Sequence, residues 1–571
     1  MGLYLRTTRQ RRKHGPDAIY YQLAENDYHK ARRRSETRVI YTFGRADQVD
    51  RDAMRRLAQS ILRVANDDRI DLPARKFPPE VGIDDIEPVY AYGVLDAARA
   101  LWEELGIGPL LREQMQQDGC EAPHDMALFA MTANRLARPG SKLACDDHWL
   151  ADDVYWPAAK ALALEHLYRA MDFLLRHSEP LEQEIFCRTA DLLDADVDLI
   201  FWDTTTLAFE IDEDDDDGEP WQGDEIPALR TRGQSQDGHD HNPQVVVGLA
   251  LTRDGLPVRS WVFPGNTADV TTLAHLKADV RGWRLNRCVF VGDSGMFSEE
   301  NQRRLSRALG RYMLAVPRRK VTEVPRAVLS RPGRYREVAA NLRVKEVDVG
   351  TGERRRRYLV CHNPEEAARE QAHRDRLLAV VQAELAALDA RAEDHPKNAC
   401  ELMASRRFGR YLTMDARGRL SINATKVTAE AKYDGKFVLT TNDDTLDAED
   451  VALGYKSMML IEGCFRRMKT TGLQTRPVYH WRPHRIIAHV KLCVLALLLE
   501  RAAELRCQRT WRTIRQALDQ LTVVRYRMHG KTIVQSTRVT STLAEILRRL
   551  RIPTPQKILE VSDETPAQPL A

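Results

Sequence analysis

The sequence predicts an α/β protein in which helices pack against one mixed sheet, and three observations predict it. Between Val197 and Val316 the apolar runs follow the order strand, strand, strand, helix, strand, helix, strand. The pair Asp254-Gly255 separates the second and third runs as a hairpin turn does. The chain has 571 residues, 43% of them hydrophobic, enough for several domains with cores of their own.

The elements follow in order. Residues 1–46 alternate short β-like runs, Ala18–Leu23 and Thr37–Phe43, with basic turns. A helix is predicted over Val49–Asn66, and Leu72–Pro88, with four prolines, reads as a linker. Apolar residues three or four apart predict helices at Val94–Leu105, Met126–Leu136, Pro157–His177 and Leu181–Leu193. Val197–Phe209 is a predicted strand, followed by a polar, acidic loop to about Gln236. Pro243–Leu251 and Leu256–Phe263 form the hairpin, Thr271–Val280 a helix, and Cys288–Val291 a short apolar strand of the buried kind. Ser298 caps a helix to about Leu309, and Tyr312–Val316 is the next strand.

Residues 318–440 read as an insertion. They hold basic β-like runs, a long helix Pro364–Asp394, and strands at Arg410–Thr413, Arg419–Ala424 and Phe437–Thr441. Helices resume over Ala448–Lys469 and Arg482–Arg506, and the tail carries one amphipathic helix, Ser541–Leu550. The resulting plan is a basic N-terminal region (1–75), a helical domain (76–194), a first core part (195–317), the insertion (318–440), a second core part (441–506) and a C-terminal region (507–571).

Composition excludes several classes. No apolar run approaches the ~20 residues of a membrane helix; the longest, Ile486–Leu499, is broken by His489 and Lys491. The N-terminus is polar and arginine-rich, unlike a signal peptide. Nine scattered cysteines, no two within three residues, argue against a zinc ribbon or a disulfide framework. The expectation is a soluble protein of the reduced cytoplasm. The net charge of +3 conceals segregation. Residues 1–45 carry eleven Lys and Arg against four Asp and Glu, and residues 303–357 carry seventeen against five. Separate basic blocks point to a polyanion partner. The acidic run Asp212–Asp217 reads as a solvated loop, and His239 and His241, flanking Asp240, as a polar loop with too few ligands for a metal.

Three carboxylates stand where apolar neighbours make them costly. Asp203 interrupts Leu199-Ile200-Phe201-Trp202, Asp293 closes Val289-Phe290-Val291-Gly292, and Glu462 lies within the apolar stretch Met458–Phe465. Converging carboxylates without Cys or His favour hard cations, Mg²⁺ or Mn²⁺. Two such ions about 3.5–4 Å apart serve phosphodiester cleavage. Tyr455, Glu462 and Lys469 are spaced by seven, which keeps them on one stripe of a helix to within about 20° per step.

These residues resemble a bacterial insertion-sequence transposase of the DDE class, the group with the signature Tyr-x2-Arg-x3-Glu-x6-Lys. Tyr455, Glu462 and Lys469 match in register, while Met458 stands where Arg is expected. Asp203-Thr204-Thr205-Thr206, Gly265-Asn266-Thr267, Gly292-Asp293-Ser294-Gly295 and Arg476-Pro477-Val478-Tyr479-His480 extend the likeness over about residues 195–300 and 432–495. The resemblance implies a ribonuclease-H-like core interrupted by an insertion, and Asp203, Asp293 and Glu462 as a metal-binding catalytic triad holding two Mg²⁺ or Mn²⁺ ions. It implies Tyr455 and Lys469 as phosphate contacts, with Arg466 or Arg467 in place of the missing arginine. In such enzymes an aromatic of the insertion stacks on a displaced base, for which Tyr411, Tyr433 and Phe437 are the candidates. The implied function is cleavage at the inverted terminal repeats and strand transfer into target DNA, both double-stranded, by a homodimer in the synaptic complex. Two other readings compete. A catalytically silent DNA-binding descendant would have lost a triad carboxylate, and all three are present. A nucleotide-binding enzyme of related fold would need a glycine in the Asp203-Thr204-Thr205-Thr206 loop.

Overall fold

In the computed structural model the described residues are 3–10, 18–29, 34–45, 49, 57, 85–193, 198–235, 238, 241–279, 283, 288–307, 310–389, 395–405, 407–528 and 531–563. The chain divides into two compact units, Met1–Gly82 and Ile83–Ala571.

The first unit contains a three-stranded antiparallel sheet, Leu3–Gln10, Ala18–His29 and Arg34–Arg45. Two of its strands match the predicted β-like runs. The first was missed because Arg6 and Arg9 interrupt its apolar pattern. The helix expected over Val49–Asn66 and most of the linker lie outside the described residues.

The second unit is built on a nine-stranded mixed sheet. In chain order its strands are β1 (Leu199–Ala208), β2 (Gln244–Thr252), β3 (Pro257–Pro264), β4 (Val289–Gly292), β5 (Arg311–Ala315), β6 (Arg336–Ala339), β7 (Leu342–Val349), β8 (Arg356–His362) and β9 (Lys436–Thr441). Across the sheet they run β3-β2-β1-β4-β5-β9-β8-β7-β6. The β1–β4 and β4–β5 pairs are parallel and the others antiparallel. All nine residues of β2 are buried, as expected of a strand covered on both faces. The stretch 318–440 does not stand apart from this sheet: four of its strands, β6–β9, extend it beyond β5. Between β8 and β9 lie the long helix, Pro364–Asp389 as far as it is described, two shorter helices and a small hairpin.

Four helices bear on the argument: α1 (Asp269–Asp279), α2 (Ala448–Lys456), α3 (Met459–Arg466) and α4 (Pro483–Cys507). The single helix expected over Ala448–Lys469 is corrected: it breaks at Ser457-Met458 and ends in a wide turn, Arg467–Thr471. Gly454 lets α2 approach the sheet closely, since a Cβ there would meet Leu199 at 3.2 Å and Met313 at 3.4 Å.

Helix α4 contains the longest apolar run and is buried almost all round, between the sheet and the helices of residues 93–193. Each of its charged and histidine side chains has at least one partner. Lys491 Nζ donates to Glu182 at 2.7 Å and to the Ser260 carbonyl at 2.6 Å. His489, held well below its ordinary pKa by burial and by Lys142, accepts from Lys142 Nζ at 2.8 Å and donates to the Thr475 carbonyl at 3.1 Å.

The C-terminal region is more than one helix. Trp511–Leu518 is helical, and Thr522–Met528, Lys531–Ser536 and Ile558–Asp563 form a sheet with the short strands Asp85–Ile86 and Tyr90–Ala91. The acidic run is also tied down: Asp215 pairs with Arg230, and Asp214 pairs with Arg232 at 3.0 Å. His239 and Asp240 lie outside the described residues, while the His241 carbonyl accepts from Arg232 at 3.0 Å. All nine cysteines are free, and among the described residues no helix is long and apolar enough to cross a membrane.

Burial and the neighbouring Arg135 lower the Lys142 pKa from 10.5 to about 7. Between those values the unfolded chain holds a proton that the folded chain does not, so the cost of burying Lys142 is full below pH 7 and fades as pH rises. The stability of wild type relative to Lys142→Met should therefore increase across this window, by up to about 1.4 kcal/mol per pH unit. Urea unfolding of both proteins between about pH 7 and 9 checks this; a difference that is flat or falls with pH contradicts it.

Candidate active site

Strand alternation sends Leu199, Phe201 and Leu207 to one face of the sheet and Ile200 and Trp202 to the other. Asp203 shares the first face. The β1–β4 pairing sets Gly292 opposite Trp202, so the next residues, Asp293 and Asp203, fall side by side. Asp293 leaves the strand and begins a short turn, Ser294–Met296, where its carboxylate accepts from the Ser294 amide. Asp203 accepts from the Thr204 amide at 2.8 Å. Glu462 sits exposed on α3.

The three carboxylates line one cavity of about 480 Å³, together with Tyr455, Lys456, Met458 and Phe437. Burial raises the Asp203 pKa to about 7, and the charges of Asp293, Asp269 and Glu462 push it the same way. Among the described residues the groups that act on Asp203 are the Thr204 amide and other carboxylates, with no Lys, Arg or His among them. The negative charge here thus lacks a side-chain counter-charge on its most buried member. A divalent cation would supply that charge, and an all-oxygen donor set suits Mg²⁺ or Mn²⁺. In the form described the carboxylates share the cavity without closing into a metal-holding group: no such group of three or more His, Cys, Asp or Glu occurs among the described residues.

Of the other residues picked from the sequence, Tyr455 joins the cavity. Its ring lies 5.7 Å from that of Phe437, and burial followed by the charges of Asp293, Asp203 and Glu462 raises its pKa, so the hydroxyl keeps its proton. Lys469 does not line this cavity. The break at Ser457-Met458 and the wide turn at Arg467–Thr471 end the seven-residue register. Lys469 lines a second cavity of about 680 Å³ with Arg230, Arg476, Tyr479 and Trp481. Arg466 is exposed at the end of α3. Arg467 turns to α4 instead, donating to Glu500 at 2.6 Å and to Glu504 at 2.8 Å. Burial opposes its charge, but these two carboxylates raise its pKa. Tyr411 is buried and Tyr433 lies under Arg318 and Arg319, so of the three insertion aromatics Phe437 reaches the cavity.

The sequence reading missed Lys456 and Asp269. Lys456 is one residue beyond Tyr455 and off the stripe of seven. Asp269 opens α1, where an acid reads as an ordinary first-turn residue.

A transposase DDE domain matches residues 217–499, beginning after Asp203 and including Asp293 and Glu462, and an IS1634 family transposase N-terminal domain matches residues 5–72. The chain belongs to the insertion-sequence DDE transposases. No curated protein matches the transposase. A solved piggyBac transposase synaptic complex with hairpin DNA aligns with it at 9% identity and a TM-score of 0.32, over 76% of this chain and 74% of that chain. That score is too low to bear on the fold. DDE transposases act on DNA, and the family generally uses divalent metal ions.

Removing one partner of a buried ion pair strands the other charge, at about 3–5 kcal/mol. Arg467→Ala should therefore destabilise the transposase by about that amount, while Arg466→Ala, at an exposed position, should cost less than about 1 kcal/mol. Thermal unfolding of the two variants compares them, and equal melting temperatures would refute the difference.

Proposed function

We propose that the carboxylate cavity is the catalytic centre of this transposase. Asp203, Asp293 and Glu462 would hold Mg²⁺ or Mn²⁺ there, two ions per site. Such ions, when bound, polarise the phosphodiester and activate the attacking water or 3′-hydroxyl. The observation that carries this reading is the adjacency of Asp203 and Asp293 across parallel strands, with Glu462 lining the same cavity.

The chain's own residues have distinct tasks. Asp203 and Asp293, on neighbouring strands, fix two donors with little freedom, while Glu462 approaches from α3. The protonated Tyr455 hydroxyl can donate to a phosphate oxygen. Lys456 brings an ammonium to the cavity in which Met458 stands at the position where the family signature has arginine. Arg466 and Lys469 would hold phosphates beyond it. Chemically, cleavage at the inverted terminal repeats and transfer to target DNA are the same in-line displacement with different nucleophiles, so one centre serves both.

The mixed sheet carrying these residues supports a ribonuclease-H-like core, with 195–317 and 441–506 as its two parts. We assign 1–75 and the helices of 76–194 to terminal-repeat recognition, because neither contains a triad carboxylate. Two ends must meet, which calls for a homodimer in the synaptic complex.

Asp203→Ala, Asp293→Ala and Glu462→Ala should each abolish strand cleavage in Mg²⁺ and leave binding to DNA carrying the flanking repeats largely intact, since DNA affinity comes mainly from phosphate contacts. Cleavage and mobility-shift assays on the same preparations read both; a variant that still cuts near the wild-type rate does not belong to the centre. Light scattering of the protein–DNA complex should give two protomers per pair of ends, and one protomer per pair would contradict the dimer.

A further inference from the structure

The face of β1 opposite Asp203 carries a contact that the proposed chemistry leaves unexplained. Thr204, buried, donates from Oγ1 to Asp269 Oδ1 at 2.6 Å across 65 residues of chain. The other oxygen of Asp269 faces the turn that carries Asp293: a Cβ on Gly295 would lie 3.7 Å from Asp269 Oδ2. One carboxylate therefore touches the residue after Asp203 and borders the turn two residues beyond Asp293.

An acid in the first turn of a helix commonly serves the helix itself. Here the Asp269 side chain reaches over to β1, and the helix start is tied by other atoms: Thr272 Oγ1 donates to the Asp269 carbonyl at 2.7 Å. A carboxylate is also an electrically poor choice for a purely structural acceptor. It adds negative charge near Asp203 and the turn after Asp293, a cost that a neutral acceptor would avoid. Carboxylates that hold metal are commonly oriented by outer hydrogen-bonding groups.

We propose that Asp269 is a positioning residue for the catalytic centre, clamping the Asp203 strand through Thr204 and setting it against the Gly295 turn that carries Asp293. This rests on the reading of Asp203, Asp293 and Glu462 as the metal-holding carboxylates. Asp269 stays on the far face of β1 and holds no metal itself. Its carboxylate keeps β1 and the Asp293 turn in register, so that two like charges remain side by side before a cation arrives.

The test is Mn²⁺ affinity of the full-length protein without DNA, read by electron paramagnetic resonance. Asp203→Asn should lose Mn²⁺ binding, and Asp269→Ala and Thr204→Val should each weaken it about 10–100-fold. The Thr204→Val/Asp269→Ala double variant should bind no more weakly than the worse single variant, because both remove one contact. Thr204→Ser keeps the hydroxyl and should bind within about threefold of wild type, a rescue that a general loss of stability would not produce. If Asp269→Ala does not fold, the comparison of Thr204→Val with Thr204→Ser decides. Wild-type affinity in Asp269→Ala and Thr204→Val, with binding lost in Asp203→Asn, overturns the clamp and leaves the catalytic reading standing. Complete loss in Asp269→Ala with wild-type affinity in Thr204→Val also overturns it, making Asp269 a ligand. Undiminished binding in Asp203→Asn overturns the catalytic reading, and the clamp with it.

Discussion

The parallel pairing of β1 with β4 is the constraint on which the site depends. Its register puts Gly292 opposite Trp202, so the chain cannot leave β4 without setting Asp293 beside Asp203. Left alone, two adjacent carboxylates repel, and burial makes matters worse, as the raised pKa of Asp203 records. The sheet outweighs that repulsion. Apolar side chains on both faces of β1, from Leu199 to Leu207, fix the strand, and the Thr204 and Ser294 amides each donate to one of the carboxylates. The transposase thus stores an unfavourable charge arrangement in a rigid frame, which is the condition under which a cation binds strongly.

Helix α4 connects that frame to its surroundings. Lys491 ties it to Glu182 and Ser260, Arg501 reaches the Asp254 carbonyl, and Glu500 and Glu504 take Arg467 at the end of the segment that carries Glu462. Buried ion pairs add little net stability against an apolar replacement, but they penalise every register in which the partners miss. Their effect here is to fix where the α3 segment ends relative to α4, and so to limit how far Glu462 can drift.

The basic block of residues 303–357 looks different once folded. Its arginines pair with acids on the same helix, on the neighbouring strand β7 and on later segments of the chain: Arg304 with Glu300, Arg311 with Asp443, Arg319 with Glu430, Arg355 with Asp348 and Asp444, and Arg357 with Glu346. Counting charge along the chain overstates the positive field that DNA would meet, because the count cannot include acids supplied from elsewhere in the sequence.

The sequence by itself determined the strands β1 to β5, the hairpin, the Ser298 cap and the three suspect carboxylates. Each rests on local physics: apolar periodicity, turn chemistry, and the cost of an acid in an apolar run. Tertiary structure decided the rest. That 318–440 extends the sheet follows from β9 pairing with both β5 and β8, a long-range choice with no local mark. The wide turn at Arg467–Thr471 took Lys469 from the Glu462 stripe to another cavity, because helical spacing holds only while the helix does. Arg466 and Arg467 are equivalent letters in the sequence, yet Arg467 meets two acids of α4 that only packing could bring there. Asp269 reads as a helix-start residue until the fold sets Thr204 at 2.6 Å from it.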